Sequence, residues 1–321
     1  MPLHISVSSL QDFMTCRRLY YFKRIKKYEK IAYNLPFIVG RVVHVGLAAL
    51  MRKSVDEKTK KPNAIELMKE EFRKERLAAI KAYILSPEQL QKLNMQAQII
   101  EGMLLAYQQK YKKMLQDMTY LGGEVEGALQ FSDDVIFVIK MDNIVKVRIK
   151  KVLHEAKTTK YLTSDYIKRI QTDIQTAIYF HFHNIIFEDE KIDEIIYDVI
   201  RKPSIKQKKK ESIQQFIERL KSWYEGPSDD YGSKFHIERF KEPKISADDV
   251  INTVDKVSKE MLMAKTKEDY YQDFTQCCSY YGDICPMYAL CHEGGETPAN
   301  LLQYGVRKSY HVSKENKGVG K

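Results

Sequence analysis

The chain has 321 residues, enough for one large domain or two average ones, and its 53 Lys and Arg against 43 Asp and Glu give a formal net charge of +10. This positive excess favours a polyanionic partner, with nucleic acid ahead of a membrane surface. No stretch approaches the roughly 20 apolar residues that span a bilayer, and the sequence shows no signal-peptide pattern, so we expect a cytoplasmic protein without membrane association.

Two helices are predicted in the N-terminal part of the chain. Ser8 and Gln11 have capping-box spacing, and the segment that follows alternates apolar and aromatic residues with lysines and arginines. One face of this helix can pack while the other meets phosphate or solvent. A second helix is predicted from Phe37 to Arg52, with His44 among apolar neighbours. A histidine in such a place is more often a buried core residue than a ligand.

The segment from residue 62 to residue 120 has a helical pattern throughout. Asn63 with Glu66 and Ser86 with Gln89 have capping-box spacing, and the second helix carries apolar residues at steps of three and four. We interpret this segment as a helical insertion that packs on itself or on the core, and we assign it no chemistry.

Strands are predicted after the insertion. Alternating and β-rich stretches indicate four consecutive antiparallel strands. Their predicted bounds are 124–131, 135–141, 144–149 and 152–157, with a tight turn at Lys150 and Lys151. A helix over 164–184, a strand over 195–200 and a helix over 211–224 follow. Residues 201–210 contain six Lys or Arg and no acid, which indicates either a mobile loop that touches a phosphate backbone or a solvated loop without a partner.

The strand region carries the residues best suited to chemistry. Glu155 and Lys157 are two apart on one strand and must project from the same face, with Asp142 at the end of its neighbour. Two carboxylates suit a hard divalent cation that keeps several waters. The lysine could orient or deprotonate a nucleophilic water, or neutralise charge developing on phosphorus. The alternative is an ordinary surface ion contact in a sheet.

The helix after these strands carries a polar stripe. Gln171, Gln175 and Tyr179 are spaced by four residues and fall on one helix face. Amides and a phenol beside a carboxylate site suit contacts to phosphate or water, although such residues are also common at the edge of a core.

These motifs together resemble the RecB-type branch of the PD-(D/E)XK nuclease superfamily. The matching features, in chain order, are Ser8-Ser9-Leu10 with Phe13, Cys16 and Tyr20 in an opening helix, a Gly-x-x-x-His step from Gly40 to His44, Asp142 with Glu155-Ala156-Lys157, and a Gln-x-x-x-Tyr motif from Gln175 to Tyr179. One position departs from the pattern, because Lys140 stands where the family usually has a glycine two residues before the aspartate.

The resemblance implies an α/β fold with a restriction-endonuclease-like core, in which an antiparallel or mixed central sheet is flanked by helices and interrupted by a helical insertion. It implies a single nuclease domain over residues 1–321. We divide this domain into the insertion at 62–120, the catalytic sheet and helices at 121–225, a cysteine-containing C-terminal segment at 226–308 and a disordered tail at 309–321.

The resemblance also implies the roles of the site residues. His44, Asp142 and Glu155 would bind Mg²⁺ or Mn²⁺, with the Ala156 carbonyl as a further ligand. Lys157 would be the catalytic lysine. By the same similarity, Gln175 and Tyr179 would support the active site or the DNA strand.

The five cysteines have an uneven distribution. Cys277, Cys278, Cys285 and Cys291 fall near the C-terminus, whereas Cys16 is at the other end, and an odd number in a mid-sized chain argues against a secreted-type disulfide framework. Some members of the branch, the AddB-type helicase-nucleases and the CRISPR-adaptation exonucleases, hold a 4Fe-4S cluster with one N-terminal and three C-terminal cysteines. By similarity Cys16, Cys278, Cys285 and Cys291 would be the ligands, with Cys277 able to replace Cys278.

Two alternatives to the cluster stay open, a Zn²⁺ site with His292 as a further ligand and a set of unligated thiols. The interval from Cys278 to Cys285 contains six residues, whereas the family commonly has two. A metal group at this place would join the two ends of the chain and close its longest loop.

The sequence supports three classes of function. The first is a Mg²⁺- or Mn²⁺-dependent deoxyribonuclease, an exonuclease on single strands or duplex ends. It would act in recombination, repair or foreign-DNA processing, and protein partners in a recombination or processing complex are possible. The second is a catalytically silent DNA-binding or assembly subunit with a nuclease fold. The third is a regulatory iron-sulfur protein.

Overall fold

The computed structural model describes residues 2–52, 63–274, 279–280 and 283–306. The chain divides into two compact units, the first made of Met1–His4 and Tyr33–Thr253 and the second of Ile5–Ala32 and Val254–Lys321. The predicted tail at 309–321 lies outside the described residues. No helix in the described ranges combines the length and apolar character needed to cross a membrane.

The elements of the described chain are as follows. The strands are β1 Leu3–Ser6, β2 Tyr28–Lys30, β3 Met118–Ser132, β4 Val135–Val147, β5 Lys150–Thr159, β6 Glu194–Arg201, β7 Phe235–Phe240, β8 Ser279–Tyr280, β9 Asp283–Ile284 and β10 Tyr304–Val306. The helices are α1 Val7–Thr15, α2 Arg17–Tyr20, α3 Leu35–Met51, α4 Ala64–Ala82, α5 Pro87–Asn94, α6 Gln96–Lys110, α7 Lys112–Asp117, α8 Ser164–Lys168, α9 Ile174–Ile186, α10 Ile213–Glu225, α11 Ala247–Met263, α12 Tyr288–His292 and α13 Pro298–Leu301.

The main sheet of the described residues has the strand order β1-β4-β5-β6-β7, with β3 paired to β4. β3, β4 and β5 form an antiparallel meander, β5 and β6 are parallel, and β7 returns antiparallel to β6. α3 packs against β3, β4 and β5, and α9 packs against β3 and β4. The predicted α/β class with a mixed central sheet flanked by helices is confirmed.

Burial along β5 and β6 shows that both faces of the sheet are covered. Every residue from Val152 to Ala156 is buried, and so is all of Glu194–Arg201. A strand with helices on both faces has a continuous buried run, whereas a half-exposed strand alternates. Polar residues within this run, such as Glu155, are therefore held in the interior without the water that usually solvates a carboxylate.

The β4–β5 hairpin differs from the prediction. The predicted strands at 135–141 and 144–149 are parts of one long strand, β4, so Asp142 lies within a strand and not at its end. The turn falls at Arg148, which has φ of 58°, followed by the exposed Ile149. A tight hairpin turn requires positive φ, and here an arginine adopts it, so no glycine or asparagine marked the turn in the sequence.

The helical segment before the sheet packs on the core of the first unit. Its buried side chains, which include Met68, Phe72, Leu93 and Tyr107, belong to the same apolar cluster as α3 and one face of the sheet. Close packing depends on glycines: a Cβ at Gly46 of α3 would lie 2.3 Å from the side chain of Leu104 in α6. The predicted second helix of this segment is three helices, α5, α6 and α7, with breaks at Met95 and Tyr111.

In the second unit, α1 begins two residues earlier than predicted. Ser6 and Ser9 form the capping box, in place of Ser8 and Gln11, because the helix starts at Val7. The predicted basic face is partly engaged within the unit: Lys23 and Arg24 form ion pairs with the buried Asp12.

Candidate active site

Strand pairing places the predicted carboxylates on one face of the sheet. The β4–β5 ladder ends with Asn143 opposite His154, so Asp142 and Glu155 are the next residues of the two strands. Side chains alternate along a strand, and residues opposite each other share a face. Asp142, Glu155 and Lys157 therefore lie on the face opposite to that of Asn143 and His154, and both carboxylates are on the same side as the lysine.

Asp142 is contacted from two directions. The Ala156 N–H donates a hydrogen bond to its carboxylate, and Nδ1 of His44 in α3 lies 3.2 Å from its Oδ2. Burial alone would lower the pKa of His44, but contact with Asp142 and its negative charge raise that pKa above the usual value. Burial likewise opposes ionisation of Asp142, yet His44, the charge of Lys157 and the Ala156 hydrogen bond hold its pKa below the usual value. The pair favours a carboxylate facing an imidazolium.

Glu155 and Lys157 form a buried ion pair. Lys157 Nζ lies 2.5 Å from Glu155 Oε1, and the Glu155 side chain is fully buried. Burial raises the pKa of Glu155 to about 7 in spite of the nearby ammonium. Burial would lower the pKa of Lys157, but the charges of Glu155 and Asp173 outweigh it and raise that pKa above the usual value. The lysine is therefore held as a cation.

Gln175 and Tyr179 of α9 complete a connected set of side chains. Gln175 Oε1 accepts a hydrogen bond from Lys157 Nζ at 3.2 Å, while its Nε2 donates to Glu155 Oε1 at 3.4 Å and to the Tyr179 hydroxyl at 3.3 Å. Gln171 does not belong to this set. It lies in a separate 3₁₀ turn before α9 and donates to Glu238.

Asp173, which the sequence analysis did not identify, explains why the predicted helix over 164–184 is interrupted before α9. Asp173 has an extended backbone and caps α9, accepting from the backbone N–H of Gln175 at 2.8 Å and of Thr176 at 3.4 Å. Its other oxygen accepts from the Tyr197 hydroxyl at 2.7 Å. Tyr197 is in β6, directly opposite Glu155. Asp173 thus ties the first turn of α9 to the strand beside Glu155.

The sequence contained half of this signal. An aspartate just before an apolar helical run is a common N-cap, and Asp173 precedes Gln175 by two residues. Tyr197 gave no signal, because its contact depends on the parallel pairing of β6 with β5 across a long crossover.

Replacing Asp173 should separate its capping role from its charge. We expect Asp173→Ala to lower the free energy of unfolding by about 1–2 kcal/mol, because the cap is lost and the Tyr197 hydroxyl loses its acceptor. Asp173→Asn should retain most of that stability, since asparagine caps a helix nearly as well. Urea denaturation of the two variants and the parent measures the difference, and equal losses for both substitutions would contradict the capping role.

The site has donor atoms suited to a divalent ion. Glu155 Oε2 is buried without a hydrogen-bond partner, and Asp142 Oδ2 has only the ion contact with His44. Buried polar atoms are normally paired, so an unpaired carboxylate oxygen indicates a missing partner. In the described part of the chain, no three or more His, Cys, Asp or Glu side chains are grouped so that they could hold a metal ion. The remaining oxygen of Glu155 is engaged by Lys157 and Gln175.

The family model of the PD-(D/E)XK nuclease superfamily matches residues 4–292. The chain belongs to the PD-(D/E)XK nuclease superfamily. No curated protein sequence matches it. A solved structure titled "Crystal structure of SSO0001" is 15% identical and covers 80% of this chain and 95% of that chain, with a TM-score of 0.32. At these values the likeness adds nothing to the family assignment.

Membership in the PD-(D/E)XK superfamily gives the chain a nuclease-type fold, and such nucleases usually use divalent metals like Mg²⁺. Members of a nuclease fold are expected to bind DNA. The superfamily does not by itself fix the reaction of a given member, which depends on the site residues.

The second unit brings three of the predicted cysteines together. Cys16 and Cys285 are buried, and they share one apolar cluster with the buried Phe22 and Tyr304 and the half-buried Cys291. Burial raises the pKa of the Cys291 thiol, and the thiols of Cys285 and Cys16 add to the increase.

The other candidate ligands of this group are two cysteines and a histidine. Cys277 and Cys278 lie outside the described residues. His292, the alternative zinc ligand, packs its ring against Tyr288 at 4.8 Å between centroids.

Proposed function

We propose that this chain is a Mg²⁺- or Mn²⁺-dependent deoxyribonuclease of the RecB-type branch. The observation that carries the proposal is the fully buried Glu155, ion-paired with Lys157, whose second oxygen has no partner and which shares a sheet face with Asp142. A charge of this kind is costly to bury, and such groups are kept where a ligand needs them.

His44, Asp142, Glu155 and the Ala156 carbonyl would hold the divalent ion. When bound, the ion supplies Lewis-acid polarisation of a phosphate oxygen and lowers the pKa of a bound water. Contact with His44 and with the Ala156 N–H orients the Asp142 carboxylate before any ligand arrives. This arrangement reduces the reorganisation that binding requires.

Lys157 is best suited to neutralise charge on the scissile phosphate. Its pKa is raised by Glu155 and Asp173, so in the metal-free site it is a cation and not a proton acceptor. Gln175 accepts from the ammonium and donates to Glu155, which fixes both side chains, and Tyr179 in turn accepts from Gln175. A fixed cation at the position of developing negative charge stabilises the transition state.

The direct test is cleavage of end-labelled single-stranded and blunt duplex DNA in Mg²⁺, Mn²⁺, Ca²⁺ and EDTA. We expect cleavage in Mg²⁺ or Mn²⁺ and none in EDTA, with products shortening from the ends. Tight, salt-sensitive binding without cleavage in every metal would instead favour a silent DNA-holding subunit. A role in recombination, repair or foreign-DNA processing, with protein partners and a cytoplasmic location, fits a nuclease of this class.

Divalent-ion affinity should fall as the pH drops below 7. Burial raises the pKa of Glu155 to about 7. A carboxylate must be deprotonated to bind a metal ion, so below pH 7 the ion has to displace the proton of Glu155. Above pH 7 Glu155 is ionised, and the proton that binding must still displace is that of His44, whose pKa is raised above the usual value by contact with Asp142. We expect Mn²⁺ affinity to fall by about tenfold per pH unit for each of these two groups that is protonated. Titration calorimetry from pH 5.5 to pH 8.5 checks this, and a flat profile would contradict it.

For the second unit we propose a 4Fe-4S cluster held by Cys16, Cys285, Cys291 and either Cys278 or Cys277, with Zn²⁺ as the alternative. The support is that three thiols from the two ends of the chain share one apolar cluster. Four thiolates are the usual ligand set of such a cluster. We also propose that residues 62–120 are an insertion into a single nuclease domain, with 121–225 and 226–308 as its catalytic and cysteine-containing parts.

A further inference from the structure

Two exposed aromatic rings pack together near the end of β5. The centroids of Tyr161 and Tyr231 are 5.4 Å apart with an interplanar angle of 36°, and the residues are 45% and 47% exposed. Large rings in contact with each other normally bury more of their surface.

Backbone contacts fix the two tyrosines relative to each other. The Leu162 N–H donates to the Tyr231 carbonyl at 2.9 Å, and the Ser233 N–H donates to the Leu162 carbonyl at 3.1 Å. Gly232, between them, has φ of +93°, and a Cβ there would lie 1.8 Å from the Leu162 oxygen. The close approach of the two segments thus requires a glycine at this position.

A buried arginine supports the same turn. Arg201, the last residue of β6, is 1% exposed and forms a bidentate pair with Asp229 at 2.5 and 2.6 Å. It also donates to the Gly232 carbonyl at 2.7 Å and lies under the Tyr231 ring at 6.0 Å. A bidentate guanidinium is a rigid partner. The tyrosine pair is therefore presented by an ordered scaffold.

The pair lies close to the candidate active site. Tyr161 follows Lys157 by four residues, so their Cα atoms are at most about 14 Å apart. Leu162 is buried with Tyr197 and Val199, which are opposite Glu155 and Lys157 in the β5–β6 register. The segment therefore continues on the sheet face that carries the carboxylates.

Basic residues lie next to the two tyrosines in the fold. Lys160 Nζ lies 5.0 Å from the Tyr161 ring centroid, and the Lys202 N–H donates to the Thr159 carbonyl at 2.7 Å, which places the basic segment 201–210 at the same strand ends. The turn that carries Tyr231 contains two acids, Asp229 and Asp230. Asp229 is paired with Arg201, so only Asp230 can offset the positive charge of the lysines beside the rings.

We propose that Tyr161 and Tyr231 form a stacking platform for the bases of single-stranded DNA, with Lys160 and the basic segment 201–210 beside it to contact the phosphates. Exposed aromatic faces beside cations are the recurring means of binding unpaired strands, whereas bases in a duplex have no free faces. The inference rests on the proposed function, since it assigns the strand that the cleavage centre would receive.

The test is DNA binding in EDTA, where cleavage cannot contribute. We expect Tyr161→Leu combined with Tyr231→Leu to weaken binding of a labelled single-stranded 20-mer by about 10- to 100-fold and to leave blunt duplex affinity within about twofold. Tyr161→Phe combined with Tyr231→Phe keeps the ring faces and should bind like the parent. Ile149→Ala, an exposed apolar change at the other end of β5, is the matched control.

Unchanged single-strand affinity in a folded double leucine variant would overturn the platform, and so would equal losses on single strands and duplex. Thermal unfolding of each variant shows that the fold is kept. Failure of the proposed function looks different: the parent protein would not cleave DNA in any metal, while the binding difference in EDTA would remain.

Discussion

Glu155→Gln should eliminate metal-dependent cleavage, with a loss on the order of 10³-fold or more. Glutamine has nearly the same shape and can keep the contact with Gln175, but it removes the charge that pairs with Lys157 and would hold the divalent ion. The variant should lose some stability, because the Lys157 ammonium keeps its place without its carboxylate partner, so thermal unfolding must show that it is still folded. DNA affinity should change little. Cleavage of end-labelled DNA under single-turnover conditions measures the effect, and Lys157→Ala should show a comparable loss.

The chain offers a matched control for this experiment. Glu194 in the neighbouring strand β6 is also buried and forms ion pairs with Lys150 and Arg239. Glu194→Gln removes a buried, paired carboxylate at the first position of the β5–β6 ladder, three positions before the Glu155–Tyr197 pair, and should leave cleavage intact. If Glu155→Gln cuts DNA as well as the parent, or if both variants lose activity alike, the assigned site is wrong.

The proposed 4Fe-4S cluster predicts that Cys285→Ser lowers the iron content and destabilises the second unit by several kcal/mol. A cluster that joins Cys16 to Cys285 closes most of the chain into a loop, and metal binding contributes directly to folding free energy. Iron content after anaerobic purification, the absorption spectrum and the thermal unfolding midpoint report the change. Separate Cys277→Ser and Cys278→Ser variants identify the fourth ligand, because only one of them should lose iron.

Met287→Leu is the control for the cysteine variants. Met287 is buried in the same apolar cluster as Cys16 and Cys285, and the exchange conserves volume, so iron content should not change. Bound zinc in place of iron would select the alternative metal. Parent protein that contains neither metal, and a Cys285→Ser variant as stable as the parent, would show that the thiols are unligated core residues.

The local part of the candidate site was predictable from sequence. The Glu155-Ala156-Lys157 step defines its own face because side chains alternate along a strand, and Gln175 and Tyr179 are one helical turn apart. Asp142 was placed at a strand end, whereas it lies within β4. The error left the face of Asp142 unchanged, because pairing across the hairpin decides which side it takes.

Long-range features were not predictable in the same way. Gln171 fits the helical spacing of Gln175, but the Asp173 cap breaks the helix between them, since its carboxylate bonds both to α9 and to Tyr197. The contact between Tyr161 and Tyr231 depends on Arg201 and Gly232 meeting around one turn. Such contacts arise from strand order, which propensity and spacing do not encode.

Gly46 affects the packing of the helix that carries His44, one of the proposed metal ligands. It follows His44 by two residues in α3, and the space beside it is filled by Leu104. A larger residue there requires either that the Leu104 side chain changes its conformation or that α3 and α6 move apart. The packing of the helix that carries His44 therefore depends on a side chain from residues 62–120, a segment that contributes no proposed ligand.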